Sequence, residues 1–221
     1  MSAILFGSIS VVSDTSEMQR RAFNAAFADH GLGWQWDQEQ YRALLTSSGG
    51  TLRIADEAQR RGSSVVAEAV HATKSAKFQA AAAGSVLCPR DGVVETLRAA
   101  KEHGYQVGLV TTTSADNISA LFSGLASVVR REDFDVVVDA SAVEAAKPDP
   151  ACYHYALARL GEDAKDCVAV EDNVGGVQAA TAAGLTCVAF PNQNTVGHDF
   201  TRASTVVSRL DPDQLRSLAQ P

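Results

Sequence analysis

The sequence predicts an α/β protein with a Rossmann-like, three-layer core, in which a parallel sheet lies between helices, and with a helical cap inserted after the first strand. Between residues 91 and 190, short apolar segments alternate with amphipathic helical segments. This alternation is typical of a parallel sheet covered by helices on both faces. Residues 16–85 are Ala-rich and helical in period without a convincing strand, which predicts the insertion.

Individual elements follow from the apolar runs and from the residues that begin and end helices. Strands are expected at residues 3–6, 106–110, 136–138, 167–170 and 185–190, and helices at 91–103, 115–125, 150–160 and 174–183. Gly104, Gly161 and Gly184 follow three of these helices, where glycine is favoured. Asp149 and Pro150 suit an N-cap and a first helical position. We therefore expect a core domain of residues 1–14 and 86–221 and a helical cap domain of residues 15–85.

Composition and charge exclude several classes of function. The 221 residues are enough for one domain with an insertion. A net charge of −7 argues against nucleic acid or an anionic membrane as partner, because both favour basic surfaces. No apolar run approaches the ~18 residues of a membrane span, and no signal peptide is evident, so we expect a cytoplasmic protein. The four scattered cysteines are expected to be reduced thiols. The sequence does not fix the oligomeric state, although we favour a monomer.

Polar residues follow four of the predicted strands, and open parallel sheets bind ligands at the carboxyl ends of their strands. These segments are residues 7–9, 111–114, 147–150 and 171–173. Hydroxyl and ammonium donors suit phosphate, and paired carboxylates suit Mg²⁺, which prefers oxygen ligands. Each segment alone is more typical of turns, helix starts and helix caps than of a ligand site. Their order and their shared place at strand ends favour a common site.

With these motifs the chain resembles the haloacid-dehalogenase superfamily. It is similar to the subgroup of phosphoglycolate phosphatases, β-phosphoglucomutases and CbbY-type sugar-bisphosphate phosphatases. The resemblance implies that Thr111 holds the transferring phosphoryl group, with Thr112 beside it at the substrate. It implies that Lys147 neutralises the nucleophile and the phosphate, and that Glu171 and Asp172 bind Mg²⁺.

The first family motif departs from this pattern. The family has Phe-Asp-x-Asp-Gly-Thr there, and an Asp-Thr pair a few residues later, which Asp14 and Thr15 match. In this register Gly7 stands at the nucleophile and Ile9 at the general acid and base. Glycine has no side chain to attack phosphorus, and isoleucine cannot transfer a proton. We therefore expect lost or severely impaired phosphatase activity, and weak or absent Mg²⁺ binding at the residual pair.

The expected cap carries the remaining candidates. Residues 34–50 resemble the CbbY-type cap, in which a Lys-Glu-Arg-like set follows the glycines. Here Thr51 and Leu52 replace the first two of that set, and only Arg53 keeps its charge. Gly50 and Arg53 are therefore candidates for substrate binding, since a guanidinium suits phosphate. Arg53 is equally consistent with a solvated helix residue.

Three functions remain open. The first is a degenerate family member that binds free phosphate or a small phosphorylated metabolite, or that regulates a partner. Loss of two carboxylates beside Lys147 and Thr111 favours anion binding without a metal, although Ile9 and Val11 add apolar bulk there. The second is an active hydrolase with altered chemistry, for example a serine nucleophile. The third is a protein that keeps the fold without any ligand.

Overall fold

The structure, a computed structural model, describes residues 2–46, 49–126 and 128–218. Ser47 and Ser48, which belong to the family-like segment of the expected cap, lie outside the described residues. So do Met1, Ser127 and residues 219–221 of the expected core domain.

A parallel sheet forms the centre of the molecule, as predicted. Its strands are β1 (Ala3–Phe6), β2 (Gln106–Val110), β3 (Val136–Val138), β4 (Cys167–Glu171), β5 (Thr186–Ala189) and β6 (Thr205–Val206). Within the described residues they pair in the order β3-β2-β1-β4-β5-β6, each parallel to its neighbour. The order reverses between β1 and β4, so the carboxyl ends of these two strands form the crevice where such sheets bind ligands.

Helices cover the sheet and fill the insertion. Those of the insertion are α2 (Ser16–Asp29), α3 (Gln38–Leu44), α4 (Gly50–Arg61) and α5 (Ala67–Ala83), and they follow the short α1 (Ile9–Val12). The remaining helices are α6 (Val93–His103), α7 (Ala115–Gly124), α8 (Ala151–Leu160), α9 (Val174–Ala182) and α10 (Pro212–Leu218). None of the helices in the described ranges is both long and apolar enough to cross a bilayer.

Local backbone chemistry moves two predicted helix starts. α6 begins at Val93, two residues later than expected, because Gly92 adopts a left-handed φ of 87°. α8 begins at Ala151 with Pro150 as its N-cap, one residue later than expected. Asp149 still assists this start, since its Oδ1 accepts the Ala151 N–H at 2.9 Å. α1, α10 and β6 are too short or too weakly patterned to be predicted.

The four inner strands, β1, β2, β4 and β5, are buried on both faces, which explains their largely apolar sequences. Along β1, Ile4 and Phe6 belong to the hydrophobic cluster on one face, and Ala3 and Leu5 belong to that on the other. This alternation follows from the two-residue period of a strand. The sheet therefore holds the carboxyl end of β1 rigidly between β2 and β4.

The insertion has a hydrophobic cluster of its own, built around aromatic rings. Trp36 is 1% exposed and meets Phe27 edge-to-face at a centroid distance of 4.7 Å. The cluster also includes Phe23, Tyr41 and Ile54. The C-terminal half of α5 leaves this cluster, because its Phe78 is buried in the cluster on one face of the sheet. α5 thus fixes the insertion above the crevice.

Truncation of Phe78 tests this anchoring. Phe78→Ala should lower the free energy of unfolding by about 3–5 kcal/mol, because it removes a fully buried ring and leaves a cavity. Urea denaturation followed by circular dichroism measures the change. Val86→Ala, at a position 86% exposed, is the control and should change stability by less than about 0.5 kcal/mol. Equal losses in the two variants would contradict the anchoring role.

Candidate functional site

A cavity of about 670 Å³ lies between the carboxyl edge of the sheet and the insertion. All but one of the residues predicted for the site line this cavity. The lining residues are Gly7, Ile9, Gly50, Arg53, Thr111, Thr112, Lys147 and Asp172. Glu171 is not among the lining residues and is fully buried. Most of the candidate residues therefore lie at one cavity, whereas Glu171 lies outside its lining.

The segment after β1 folds into the single turn of α1. Ser8 is its N-cap, and the Ser8 hydroxyl accepts the N–H groups of Ser10 and Val11, both at 3.1 Å. Ile9 lines the cavity, whereas Val11 belongs to the hydrophobic cluster of the sheet and does not line it. The apolar bulk expected in the crevice therefore comes from Ile9 alone of these two residues.

Glu171 forms a buried polar network with Lys147 and Tyr153. Its Oε1 accepts a hydrogen bond from the Lys147 ammonium at 2.6 Å and one from the Tyr153 hydroxyl at 2.7 Å. Its Oε2 is buried and has no hydrogen-bond partner among the described residues. Burial raises the pKa of the Glu171 carboxyl, and the nearby Lys147 charge opposes that rise. The network holds Glu171 beneath the crevice.

Gly7 provides the space that Glu171 occupies. A Cβ atom at residue 7 would overlap the Glu171 carboxyl group and the Tyr153 hydroxyl. Gly176, in the first turn of α9, leaves space on the other side, because a Cβ there would overlap the same carboxyl group. The side chain of Glu171 thus takes the place that an aspartate side chain at residue 7 would need.

Lys147 directs its ammonium into this network. Besides Glu171, it donates to the carbonyl oxygen of Gly7 at 2.5 Å and to that of Val110 at 2.7 Å. An ammonium has three N–H donors, so these partners satisfy it.

Thr111 is 4% exposed, and its hydroxyl accepts the Thr113 N–H at 3.1 Å. Thr112 is half-buried at the cavity wall.

Asp172 is surrounded by hydrogen-bond donors. Its Oδ1 accepts from the Ser8 hydroxyl at 2.8 Å and from the Asn173 amide at 3.0 Å. Its Oδ2 accepts from the Asn192 amide at 2.6 Å. The Thr195 hydroxyl donates to its backbone carbonyl at 2.6 Å. These donors fix the carboxylate at the floor of the crevice.

The Mg²⁺ that the family resemblance implies does not fit this arrangement. Mg²⁺ requires nearly octahedral oxygen ligands. Glu171 is turned towards Lys147, both oxygens of Asp172 accept hydrogen bonds, and residue 7 has no side chain. The described part of the chain contains no group of three His, Cys, Asp or Glu residues that could hold a metal ion.

The insertion faces the crevice with a basic cluster, which we define as Arg53, His71 and Lys74. All three line the cavity. Arg53 donates from Nε to the Leu44 carbonyl at 2.8 Å, and burial lowers its pKa. Gly50 allows His71 to approach α4, because a Cβ at residue 50 would overlap the imidazole ring. Burial, with help from Lys74 and Arg53, lowers the pKa of His71 to about 4.

Lys74 is the most unusual member of the basic cluster. Its side chain is 6% exposed, donates to the Gln19 amide oxygen and lies 4.8 Å from the centroid of the Phe23 ring. Burial, and to a lesser extent Arg53, lowers its pKa to about 7. Sequence reasoning missed this residue. The available signal was its place between Val70 and Phe78, four residues away on either side, on the apolar stripe of α5.

The fold and this crevice define a family. The family model for haloacid dehalogenase-like hydrolases matches residues 4–184 of the chain. The chain therefore belongs to the haloacid dehalogenase-like hydrolase family.

Within the family, the chain is similar to CbbY proteins. It is 36% identical to protein CbbY of Cereibacter sphaeroides over 209 residues, which cover 93% of this chain and 90% of that protein. The CbbY protein of a Cupriavidus necator plasmid is 34% identical, with 96% and 87% covered. The crystal structure of CbbY from Rhodobacter sphaeroides in complex with phosphate has a TM-score of 0.87 and 34% identity, and covers 95% of this chain and 94% of that one. A mutant of that protein is in complex with xylulose-(1,5)bisphosphate.

The pH dependence of stability tests the burial of Lys74. Its pKa falls from 10.5 to about 7 on folding, so the folded protein holds fewer protons between these values. The contribution of Lys74 to the free energy of unfolding is therefore most favourable above pH 10.5. It decreases as the pH falls from 10.5 to about 7. Relative to Lys74→Met, the wild type should gain about 2–3 kcal/mol of unfolding free energy between pH 6 and pH 9.

Urea denaturation at both pH values measures this gain. Lys101→Met, which removes an exposed lysine of α6, is the control and should give the same difference from wild type at both pH values. A pH-independent difference for Lys74→Met would contradict the lowered pKa of the Lys74 amine.

Proposed function

We propose that this CbbY-like family member binds a small phosphorylated metabolite, of the sugar-phosphate type, without hydrolysing it, and acts as a binding or regulatory protein. The observation that carries the proposal is that Gly7, which the resemblance aligns with the nucleophile, has no side chain, and that Glu171 fills the space beside it. Phosphate-monoester hydrolysis needs up to ~10²¹-fold acceleration. Binding and electrostatics without a nucleophile supply only ~10³–10⁴-fold in other enzymes.

Ligand binding is supported by the crevice itself and by the relatives. The cavity of about 670 Å³ lies within the range of small-molecule sites. Arg53 and Lys74 place positive charge at it, and Ser8 and Thr112 place hydroxyls there. CbbY from Rhodobacter sphaeroides is found with phosphate, and its mutant with a sugar bisphosphate. The proposed site consists of Gly50, Arg53, Thr111, Thr112 and the floor at Gly7 and Ile9.

We propose that the insertion acts as a cap domain of residues 15–85 on a core of residues 1–14 and 86–221. Its separate aromatic cluster and its position over the carboxyl edge of the sheet support this division. Polar contacts cross between the two parts. The Gln38 amide donates to Asn194 Oδ1 at 3.2 Å, and Arg42 donates to the Gln193 carbonyl at 2.8 Å.

An active hydrolase with a serine nucleophile is the alternative, and the geometry of Ser8 disfavours it. Ser8 is the hydroxyl beside the lost nucleophile, and its oxygen accepts two backbone N–H groups. Its proton is directed to Asp172. The lone pairs needed for attack on phosphorus are therefore engaged in capping α1.

Binding and turnover should separate in this protein. We expect isothermal titration with sugar phosphates in metal-free buffer to show binding, and phosphate release from the same compounds to stay at background with and without Mg²⁺. Lys147→Ala and Thr111→Ala are the matched variants for any release that is seen. Mg²⁺-dependent release that both variants abolish would contradict the proposal and establish a hydrolase.

Restoring the lost aspartates tests why the metal does not fit. Gly7→Asp with Ile9→Asp should create measurable Mg²⁺ binding, because it adds carboxylates and displaces Glu171 from Lys147. Calorimetric titration with MgCl₂ measures it, and circular dichroism confirms folding. Ile9→Asp alone is the control, since it adds a carboxylate while Glu171 stays in place. Equal Mg²⁺ affinity in wild type and the double variant would contradict the misfit.

A further inference from the structure

We propose that Glu171 acts as an internal anion that closes the crevice floor to phosphate, so that the ligand binds with a single anionic group at the basic cluster of the insertion. The ligand class is then a sugar monophosphate, whose hydroxyl-bearing end faces Ser8, Thr112 and Asp172. This inference rests on the proposed function and specifies its ligand and orientation.

The first step concerns the charge of the floor. Lys147 is the cation expected to receive a phosphate there, but it forms a 2.6 Å ion pair with Glu171 and donates to two backbone carbonyls. The pair is neutral as a unit, and Lys147 and Glu171 are 6% and 0% exposed. Asp172 adds a carboxylate at the floor of the cavity. A phosphate at the floor would therefore meet a negative rather than a positive environment.

The second step concerns the opposite wall. Arg53 and Lys74 both line the cavity from the insertion, and both are largely withdrawn from water. A bound anion would offset the cost of keeping Lys74 charged at this place. The charges of the cavity are thus separated in space, with basic side chains on the insertion and a carboxylate on the floor. A ligand with one anionic end and one neutral, hydroxylated end matches this separation.

The third step concerns the floor as a partner for hydroxyl groups. Asp172 is a hydrogen-bond acceptor at the floor of the cavity, and the Ser8 hydroxyl and the Asn192 amide hold it in place. Thr112, a half-buried residue with a hydroxyl group, also lines the cavity. These groups can exchange hydrogen bonds with sugar hydroxyls, but they supply no charge for a second phosphate.

Calorimetric titration of the full chain in metal-free buffer with matched probes tests the proposal. The probes are xylulose 5-phosphate, xylulose 1,5-bisphosphate and unphosphorylated xylulose. We expect the monophosphate to bind at least as tightly as the bisphosphate, and at least about tenfold more tightly than the free sugar. Lys74→Met should weaken monophosphate binding at least about tenfold. Lys77→Met, on the same helix but outside the cavity lining, should leave it unchanged.

Removing the internal anion should change the preference. Glu171→Gln frees the Lys147 charge and should strengthen bisphosphate binding at least about tenfold more than monophosphate binding. Gly7→Ala is the second variant, because its methyl group displaces Glu171 without deleting it. It gives the same readout if Glu171→Gln does not fold. Glu144→Gln, an exposed carboxylate outside the cavity lining, is the control.

The outcomes separate the two proposals. A tenfold or greater preference of the wild type for the bisphosphate, or unchanged monophosphate binding in Lys74→Met, overturns this inference and leaves the proposed function intact. Absence of binding for both phosphorylated probes overturns the proposed function together with this inference. Binding of the monophosphate with loss in Lys74→Met and a switched preference in Glu171→Gln supports both.

Discussion

The buried ion pair between Lys147 and Glu171 is the interaction on which the crevice depends. It joins the carboxyl ends of β1, β2 and β4, because the Lys147 ammonium also binds the carbonyls of Gly7 and Val110. A buried charge without its partner costs several kcal/mol, so each member of the pair requires the other. The pair therefore links the ends of three strands directly beneath the crevice.

The sequence predicts most of the sheet because its inner strands are buried on both faces and because helices beside it end at glycines such as Gly104 and Gly161. It also predicts which strand ends meet, since parallel strands share one carboxyl edge. It does not predict the direction of Glu171. That direction depends on space left by Gly7 and Gly176, which are 169 residues apart in the chain. Nor does the helical period reveal that Lys74 faces the cavity, because an apolar stripe usually indicates core packing.

The insertion and the core contribute opposite properties to the crevice. The core supplies hydroxyls, amides and the carboxylate of Asp172, and hydrogen bonds from neighbouring loops hold that carboxylate in place. The insertion supplies charge on helices that an aromatic cluster holds in place. Lys74 connects the two parts, because its helix α5 reaches the hydrophobic cluster of the sheet through Phe78. The basic residues at the cavity and the anchoring of the insertion on the sheet therefore depend on the same helix.

The glycine at residue 7 has a consequence for how retained motifs should be interpreted. Because Glu171 fills the space beside it, Lys147 and Glu171 have a structural role as a buried ion pair at the strand junction, whatever chemistry the crevice performs. Selection for folding alone would then preserve two of the residues by which a phosphatase is recognised. In a chain of this kind, an intact lysine and acidic pair are consistent with a folding role as well as with catalysis, and the residues that follow the first strand are needed to distinguish the two.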